Sequence, residues 1–304
     1  MRRTDTHEPR SDVYQRITDA LVQQLEQGTR PWMKPWNAEH LAGKITRPLR
    51  HNGKPYRGIN VLMLWLTAVE RGYSSPIWMT FKQALELEAH VRKGEKGTPV
   101  AYADTMTKTD KQTEEEREIW FMKQYTVFNV EQIDGLPPHF YARAEPQIAP
   151  GARIAHAEAF FRNTRATIGT GGNRAYYRIS DDVIQMPPFE AFKDAESYYS
   201  TLAHECVHWT RHASRLDRSF DQKRFGDEGY AREELVAEIG SAFLAADLGL
   251  YLEPRDDHAA YLASWLQILK QDKRAVFVAA SFAQKAADFL LQLQPREEEQ
   301  RAAA

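Results

Sequence analysis

Helical and strand-like spacings of apolar residues alternate along the first part of the chain, and helical spacing alone governs it beyond residue 196. Val13, Ile17, Ala20, Leu21 and Leu25 fall three or four positions apart, which predicts a helix over 11–27 that Gly28 ends. The apolar run 59–69 predicts a second helix, stopping before Gly72. Thr80 is a suitable N-cap for a third over 80–90, with Phe81, Ala84, Leu85 and either Leu87 or Ala89 facing inward. Residues 91–100 form a glycine-containing basic turn leading into a strand. The β-rich run 120–130 should pair with that strand near Val100. Between them, 105–118 is charged and predicts a solvated loop or a long hairpin tip. The second part opens with a helix near 152–164. A turn at 169–172 and two short paired strands at 175–179 and 183–186 follow. Helices are then expected at about 196–213, 230–249, 258–270 and 272–293.

This order predicts an α+β protein. A mixed α/β first domain spans 11–140, and a mainly helical second domain with a small sheet spans 151–294. Pro146 and Pro150 mark a linker over 141–150, and polar tails cover 1–10 and 295–304. With 304 residues and 42% hydrophobic side chains, the chain can build ordinary cores, which excludes a disordered, collagenous or disulfide-scaffold class. No uncharged apolar run approaches the length of a membrane span, and no apolar segment follows the basic start. Cys206 is the only cysteine and cannot form an internal disulfide. A cytoplasmic location is expected, with no membrane partner.

The 40 basic and 42 acidic residues nearly cancel, but they are unevenly distributed. Residues 28–100 hold 12 Lys and Arg against 5 Asp and Glu, together with Trp32, Trp36, Trp65 and Trp78. From 141 to the end there are 20 basic and 24 acidic residues. A basic, aromatic-rich first part is joined to a mildly acidic second part.

The sharpest chemistry lies in His204-Glu205-Cys206-Val207-His208. Two His four residues apart share one helix face, so both imidazoles can reach one Zn²⁺ or another divalent cation. The intervening Glu205 is placed to take a proton from a water activated by that metal. A third ligand is needed. The predicted helix over 230–249 offers Glu233, Glu234 and Glu238, of which Glu234 and Glu238 lie one turn apart on the same face. Glu234 is the preferred ligand. Glu238 would then orient a His by accepting its other ring N–H. His212 lies a further turn along, too far to close around the same ion, and Cys206 points off the His face. Tyr176, Tyr177, Arg178 and His258 are candidates for stabilising a developing oxyanion.

The segment Glu234-Leu-Val-Ala-Glu-Ile-Gly after His204-Glu-Cys-Val-His resembles the zinc-peptidase signature of the ImmA/IrrE-like and other gluzincin families. Three longer strings are similar to the ArdC antirestriction family: 199–212, Arg215-Leu-Asp-Arg218 and 230–238. So, in the first part, are Arg30-Pro-Trp-Met-Lys-Pro-Trp36, Pro55-Tyr-Arg-Gly-Ile-Asn60, 78–84, 91–98 and 127–137. The resemblance covers roughly residues 12–250. It implies an N-terminal domain that binds single-stranded DNA and a C-terminal zincin-like metallopeptidase domain. It further implies carriage on conjugative plasmids or phages and protection of incoming DNA from host restriction. A related N-terminal domain occurs in plasmid primases.

Single strands are held by basic grooves that follow phosphates and by aromatic faces that stack on bases. Lys34, Arg57, Lys82, Arg92, Lys93 and Lys96 are the principal phosphate candidates, with Arg47, Arg50 and Lys54 beside them. Trp32, Trp36, Tyr56 and Trp78 are the stacking candidates. The expected partners are single-stranded DNA and, as peptidase target, a host restriction or DNA-binding protein. The alternative is a protein that occludes single-stranded DNA and whose zinc site is structural and non-catalytic.

Overall fold

The computed structural model describes residues 13–27, 32, 46–109, 116–141, 150–220, 228–250 and 258–295. The expected linker over 141–150 lies almost wholly outside them, as do both tails, Lys34 and Trp36.

The first part begins with α1 (Val13–Glu26), whose Ile17, Leu21 and Leu25 form a fully buried stripe at helical spacing. A short strand β1 (Leu49–Arg50) precedes α2 (Ile59–Arg71), which ends at Gly72 in a left-handed C-cap. Next come β2 (Ile77–Thr80) and α3 (Phe81–Glu86). Thr80 caps α3 as expected: its hydroxyl accepts from the Gln83 N–H, and the Gln83 side chain accepts from the Thr80 N–H. The inward face differs from expectation. With only six residues, α3 buries Ala84 alone, and Phe81 and Leu85 are exposed.

Strand β3 (His90–Val91) leads through the basic turn into β4 (Thr98–Thr109), which pairs antiparallel with β5 (Glu116–Asn129). Val100 lies opposite Tyr125, as the sequence pattern requires. The hairpin runs further than a loop over 105–118 would allow, because pairing continues to Thr109 opposite Glu116. Thr105, Thr107 and Thr109 are β-branched and suit an extended backbone, which charge content alone conceals. The main sheet has the order β1-β2-β5-β4, and β3 pairs with β6 (Ile133–Asp134).

The second part opens with α4 (Pro150–Asn163). Its sheet has three strands rather than two: β7 (Thr167–Thr170), β8 (Tyr176–Arg178) and β9 (Val183–Met186), in the order β7-β9-β8. The glycines at 169–172 suggested a turn, yet Gly169 is a strand residue opposite Gln185. A Cβ there would meet the Gln185 side-chain oxygen at 2.9 Å. Four helices complete the chain: α5 (Ala195–Trp209), α6 (Glu228–Leu248), α7 (His258–Gln271) and α8 (Ala275–Gln292). Among the described residues, no helix is long and apolar enough to cross a membrane.

One apolar cluster runs through both parts. Trp32 meets Trp265 edge-on at 6.2 Å between centroids, and Trp65 meets Phe243 at 6.0 Å. Arg47 is buried between the parts. It donates to both carboxylate oxygens of Asp247 at 2.7 and 2.8 Å, donates to Gln284 at 2.9 Å, and lies 4.5 Å above the Phe243 ring. A buried guanidinium requires such partners, so Arg47 is a structural pin and not a phosphate contact.

Candidate metal centre

Helices α5 and α6 cross in the core, and the site forms where they approach. Asp194 starts α5 by accepting the Ser197 hydroxyl and the Ser197 N–H, each at 2.7 Å, and these bonds hold its carboxyl below the ordinary range. Helix α6 is buried nearly all round, as expected for a central helix with neighbours on several faces. At Gly240 it lies against Val207 of α5. A Cβ on Gly240 would meet both Val207 methyl groups at 2.9 Å. The missing side chain therefore sets how closely the two ligand-bearing helices approach.

His204 and His208, one turn apart on α5, bring their Nε2 atoms to 3.1 Å from each other. Glu234 of α6 places Oε2 at 3.4 Å from His204 Nε2 and Oε1 at 3.4 Å from His208 Nε2. All three residues are buried, and their donor atoms lie within 4.8 Å of one another. A tetrahedral site with bonds of about 2.0–2.1 Å has ligand–ligand edges of roughly 3.3 Å. Two imidazole nitrogens and a carboxylate at this separation suit a divalent cation. Burial disfavours charge on His208 and Glu234, but their attraction to their neighbours outweighs it. His208 is held protonated above its usual range by Glu234 and Glu233, and Glu234 is held ionised below its range by His208 and His204. A cation would replace the proton in that role.

A layer of acids and one arginine surrounds the triad. The sequence assigned the orienting role to Glu238, and the structure divides that role differently. Glu233 Oε1 lies 3.1 Å from His208 Nδ1, whereas Glu238 Oε1 lies 3.6 Å from His204 Nδ1, beyond a normal hydrogen bond. Glu233 is in turn gripped by Arg218 through two bonds of 2.8 Å. Arg218 also donates to Thr210 Oγ1 at 3.1 Å and to the Val207 carbonyl at 2.9 Å. After burial, which opposes ionisation, Arg218 and His208 together hold the Glu233 carboxyl down at about 2. Glu233 precedes Glu234 by one residue, about 100° around the helix. Glu233 meets the Nδ1 atom of His208, whereas Glu234 faces the Nε2 atoms of both imidazoles. Arg218 lies within a motif that carried the resemblance, and periodicity could not assign it a partner.

The triad opens into a cavity of about 440 Å³, lined by Glu205, Arg174, Tyr176, Arg211, Tyr230 and Tyr261 among others. Glu205 is buried on the same turn as His204 and reaches this cavity. The Tyr230 hydroxyl lies 3.1 Å from the Tyr261 hydroxyl. Burial and the Glu234 carboxylate raise its pKa well above the ordinary range, so it remains a hydrogen-bond donor. Tyr230 is the electrophile candidate that sequence alone did not identify. Of those it did identify, Tyr176 and Tyr177 both line the cavity, with the Tyr177 hydroxyl engaged by Asp182 at 2.8 Å and Arg215 at 3.2 Å. Arg178 pairs with Asp181, and the His258 side chain is outside the described residues. His212 bonds Ser214 at 2.8 Å, away from the triad. Cys206 is buried, and burial pushes its thiol up, which suits a packed residue.

The DNA candidates of the first part separate sharply. Trp78 is 0% exposed, Trp32 1% and Tyr56 7%. None of the three can offer a ring face to a base. They fill the core, and the Arg50 guanidinium already covers the Tyr56 ring at 5.4 Å. Arg57 pairs with Asp288 of α8. Arg92 pairs with Glu95 at 2.9 Å and Asp134 at 3.4 Å. Lys82 is exposed, 3.7 Å from Glu86. Lys93 and Lys96 are exposed in the turn before β4.

Comparison with known proteins agrees with both parts. Residues 155–282 match the family of zincin-like metallopeptidases, and residues 11–128 match the N-terminal domain of anti-restriction factor ArdC. The chain is 50% identical to the metal-free crystal structure of the antirestriction ArdC protein from the R388 plasmid, with a TM-score of 0.79, covering 93% of this chain and 97% of that one. Against the Mn(II)-bound structure of that protein the identity is 48% and the TM-score 0.77, covering 93% and 98%. Protein y4eC of Sinorhizobium fredii is 42% identical over 92% of each chain. A DNA primase TraC from Escherichia coli is 39% identical over 95% of this chain, which spans only 28% of the primase.

Proposed function

This chain belongs to the ArdC antirestriction family, and from that premise we propose that it binds single-stranded DNA through its first part and hydrolyses a peptide bond at the His204–His208–Glu234 centre. Together these activities would protect incoming DNA from host restriction, and the peptidase target would be a host restriction or DNA-binding protein. The observation that carries the catalytic half is that three buried donors at 3.1–3.4 Å face a cavity which also receives Glu205. A purely structural zinc site is closed by four protein ligands, whereas a catalytic site leaves a position open. Among the described residues the metal-ligand cluster has three members.

His204, His208 and Glu234 would hold Zn²⁺ or another divalent cation, which supplies Lewis acidity toward a carbonyl and an attacking water. Glu205 accepts the proton of that water on its carboxylate and delivers it to the leaving amine. Tyr230 donates its hydroxyl hydrogen bond to the oxygen that gains charge. Glu233, braced by Arg218, fixes the ring of His208.

The test is Glu205→Gln in a cell assay of DNA protection during transfer, alongside metal analysis of the purified protein. Retained metal with lost protection is the expected result. Retained metal with full protection would assign protection to DNA occlusion and remove Glu205 from the mechanism.

A further inference from the structure

With Trp32, Tyr56 and Trp78 buried, base stacking in the described part of the DNA-binding half needs another aromatic surface. The β4–β5 hairpin provides one. Tyr102 and Tyr125 are 45% and 46% exposed, with ring centroids 6.1 Å apart and planes inclined by 71°. Tyr102 lies opposite Lys123, and Tyr125 lies opposite Val100. Side chains alternate along strands and paired residues share a face, so Thr98, Val100 and Tyr102 line up with Val127, Tyr125 and Lys123. The lower part of this face is core, since Thr98, Val100 and Val127 are buried. The two tyrosines stand where the same face leaves the core for solvent, and core packing does not account for them.

The charge around the pair suits a polyanion. Lys123 is its cross-strand neighbour. Exposed Lys93 and Lys96 lie in the turn that feeds β4, and Lys96 is two residues before Thr98. At about 3.3 Å per residue, Tyr102 is roughly 13 Å along the strand from Thr98, a span that an extended single strand of a few nucleotides covers. Resting on the reading that this chain binds single-stranded DNA, we propose that Tyr102 and Tyr125 are its base-stacking platform, with Lys123, Lys93 and Lys96 holding the adjoining phosphates.

The experiment is fluorescence anisotropy of labelled oligothymidylate with the full-length protein and its variants. Wild-type binding is measured first, and its absence would sink the single-strand reading itself. Given wild-type binding, each Tyr→Ala change should weaken affinity by about 5- to 150-fold. Tyr102→Phe and Tyr125→Phe, which keep the ring, should stay within about threefold of wild type. Lys93→Ala with Lys96→Ala should lower the slope of log affinity against log salt by about 1.4. A double Tyr→Ala variant that is folded by circular dichroism and binds within twofold of wild type would overturn the platform. Equal losses for Phe and Ala would overturn it too, since stacking needs the ring and not the hydroxyl.

Discussion

The metal centre and the basic first part both concern charge, yet they are built in opposite ways. At the centre, two imidazoles and a carboxylate converge within 3.4 Å, buried on two helices, and each His faces an acid behind it. In the first part the cations are spread over several elements, and several are already engaged. Arg57 is tied to Asp288, Arg92 to Glu95 and Asp134, and Arg47 is buried against Asp247. A single ion must be held by donors fixed at one point, which demands burial and bracing. A nucleic-acid strand is held by many exposed contacts, none of which needs a fixed partner. The lesson is that excess charge in a segment does not measure its binding surface. Part of it here joins the two parts of the fold.

The contrast can be broken first at the tryptophans. Trp78→Ala should cost about 3–5 kcal/mol of stability in denaturant unfolding, because a large core side chain is lost. Affinity for single-stranded DNA per folded molecule should be unchanged. A loss of affinity without a loss of stability would return Trp78 to the binding surface.

The bracing of the centre is tested by Glu233→Ala. Removing this acid strands Arg218, which is 0% exposed, and should cost about 3–5 kcal/mol. Metal affinity should fall by about 10- to 100-fold in those molecules that fold, with Glu238→Ala having the smaller effect. If Glu238→Ala proves the more damaging for metal affinity, the assignment of the orienting acid is reversed.

A finer test concerns helix approach. Gly240→Ala would force its Cβ against the stiff Val207 side chain. Overpacking costs about 1–3 kcal/mol, and the better helix propensity of Ala returns roughly 1. Thermal unfolding should show a net loss of up to about 2 kcal/mol with weakened metal binding. A stabilised variant with intact metal binding would mean that the helix spacing is not set there.

How much of this was legible in sequence follows the same physical division. The His204–His208 pair and Glu234 could be read because helix geometry converts a spacing of four into a shared face, and because Leu235, Ile239, Ala242 and Phe243 keep helical spacing beside Glu234. The role of Glu233 could not be read, since it depends on the crossing of α5 and α6 and on Arg218, which arrives from the segment after α5. Helix positions from α1 to α8 followed from periodicity. The length of the β4–β5 hairpin did not, because the charge content of 105–118 hides the threonines that suit an extended backbone. Trp32, Tyr56 and Trp78 were misplaced because a buried aromatic and a stacking aromatic look alike in sequence; only packing tells them apart.

The central claim is that His204, His208 and Glu234 together hold one divalent cation. It is tested most directly by equilibrium dialysis of the metal-stripped protein against Zn²⁺, with Co²⁺ as an optical reporter of ligand geometry. Wild type and Cys206→Ala should each bind one equivalent at this centre with a four-coordinate cobalt spectrum. His204→Ala and Glu234→Ala should lose that binding. A Glu234→Ala protein that binds as tightly as wild type, with an unchanged cobalt spectrum, would contradict the account.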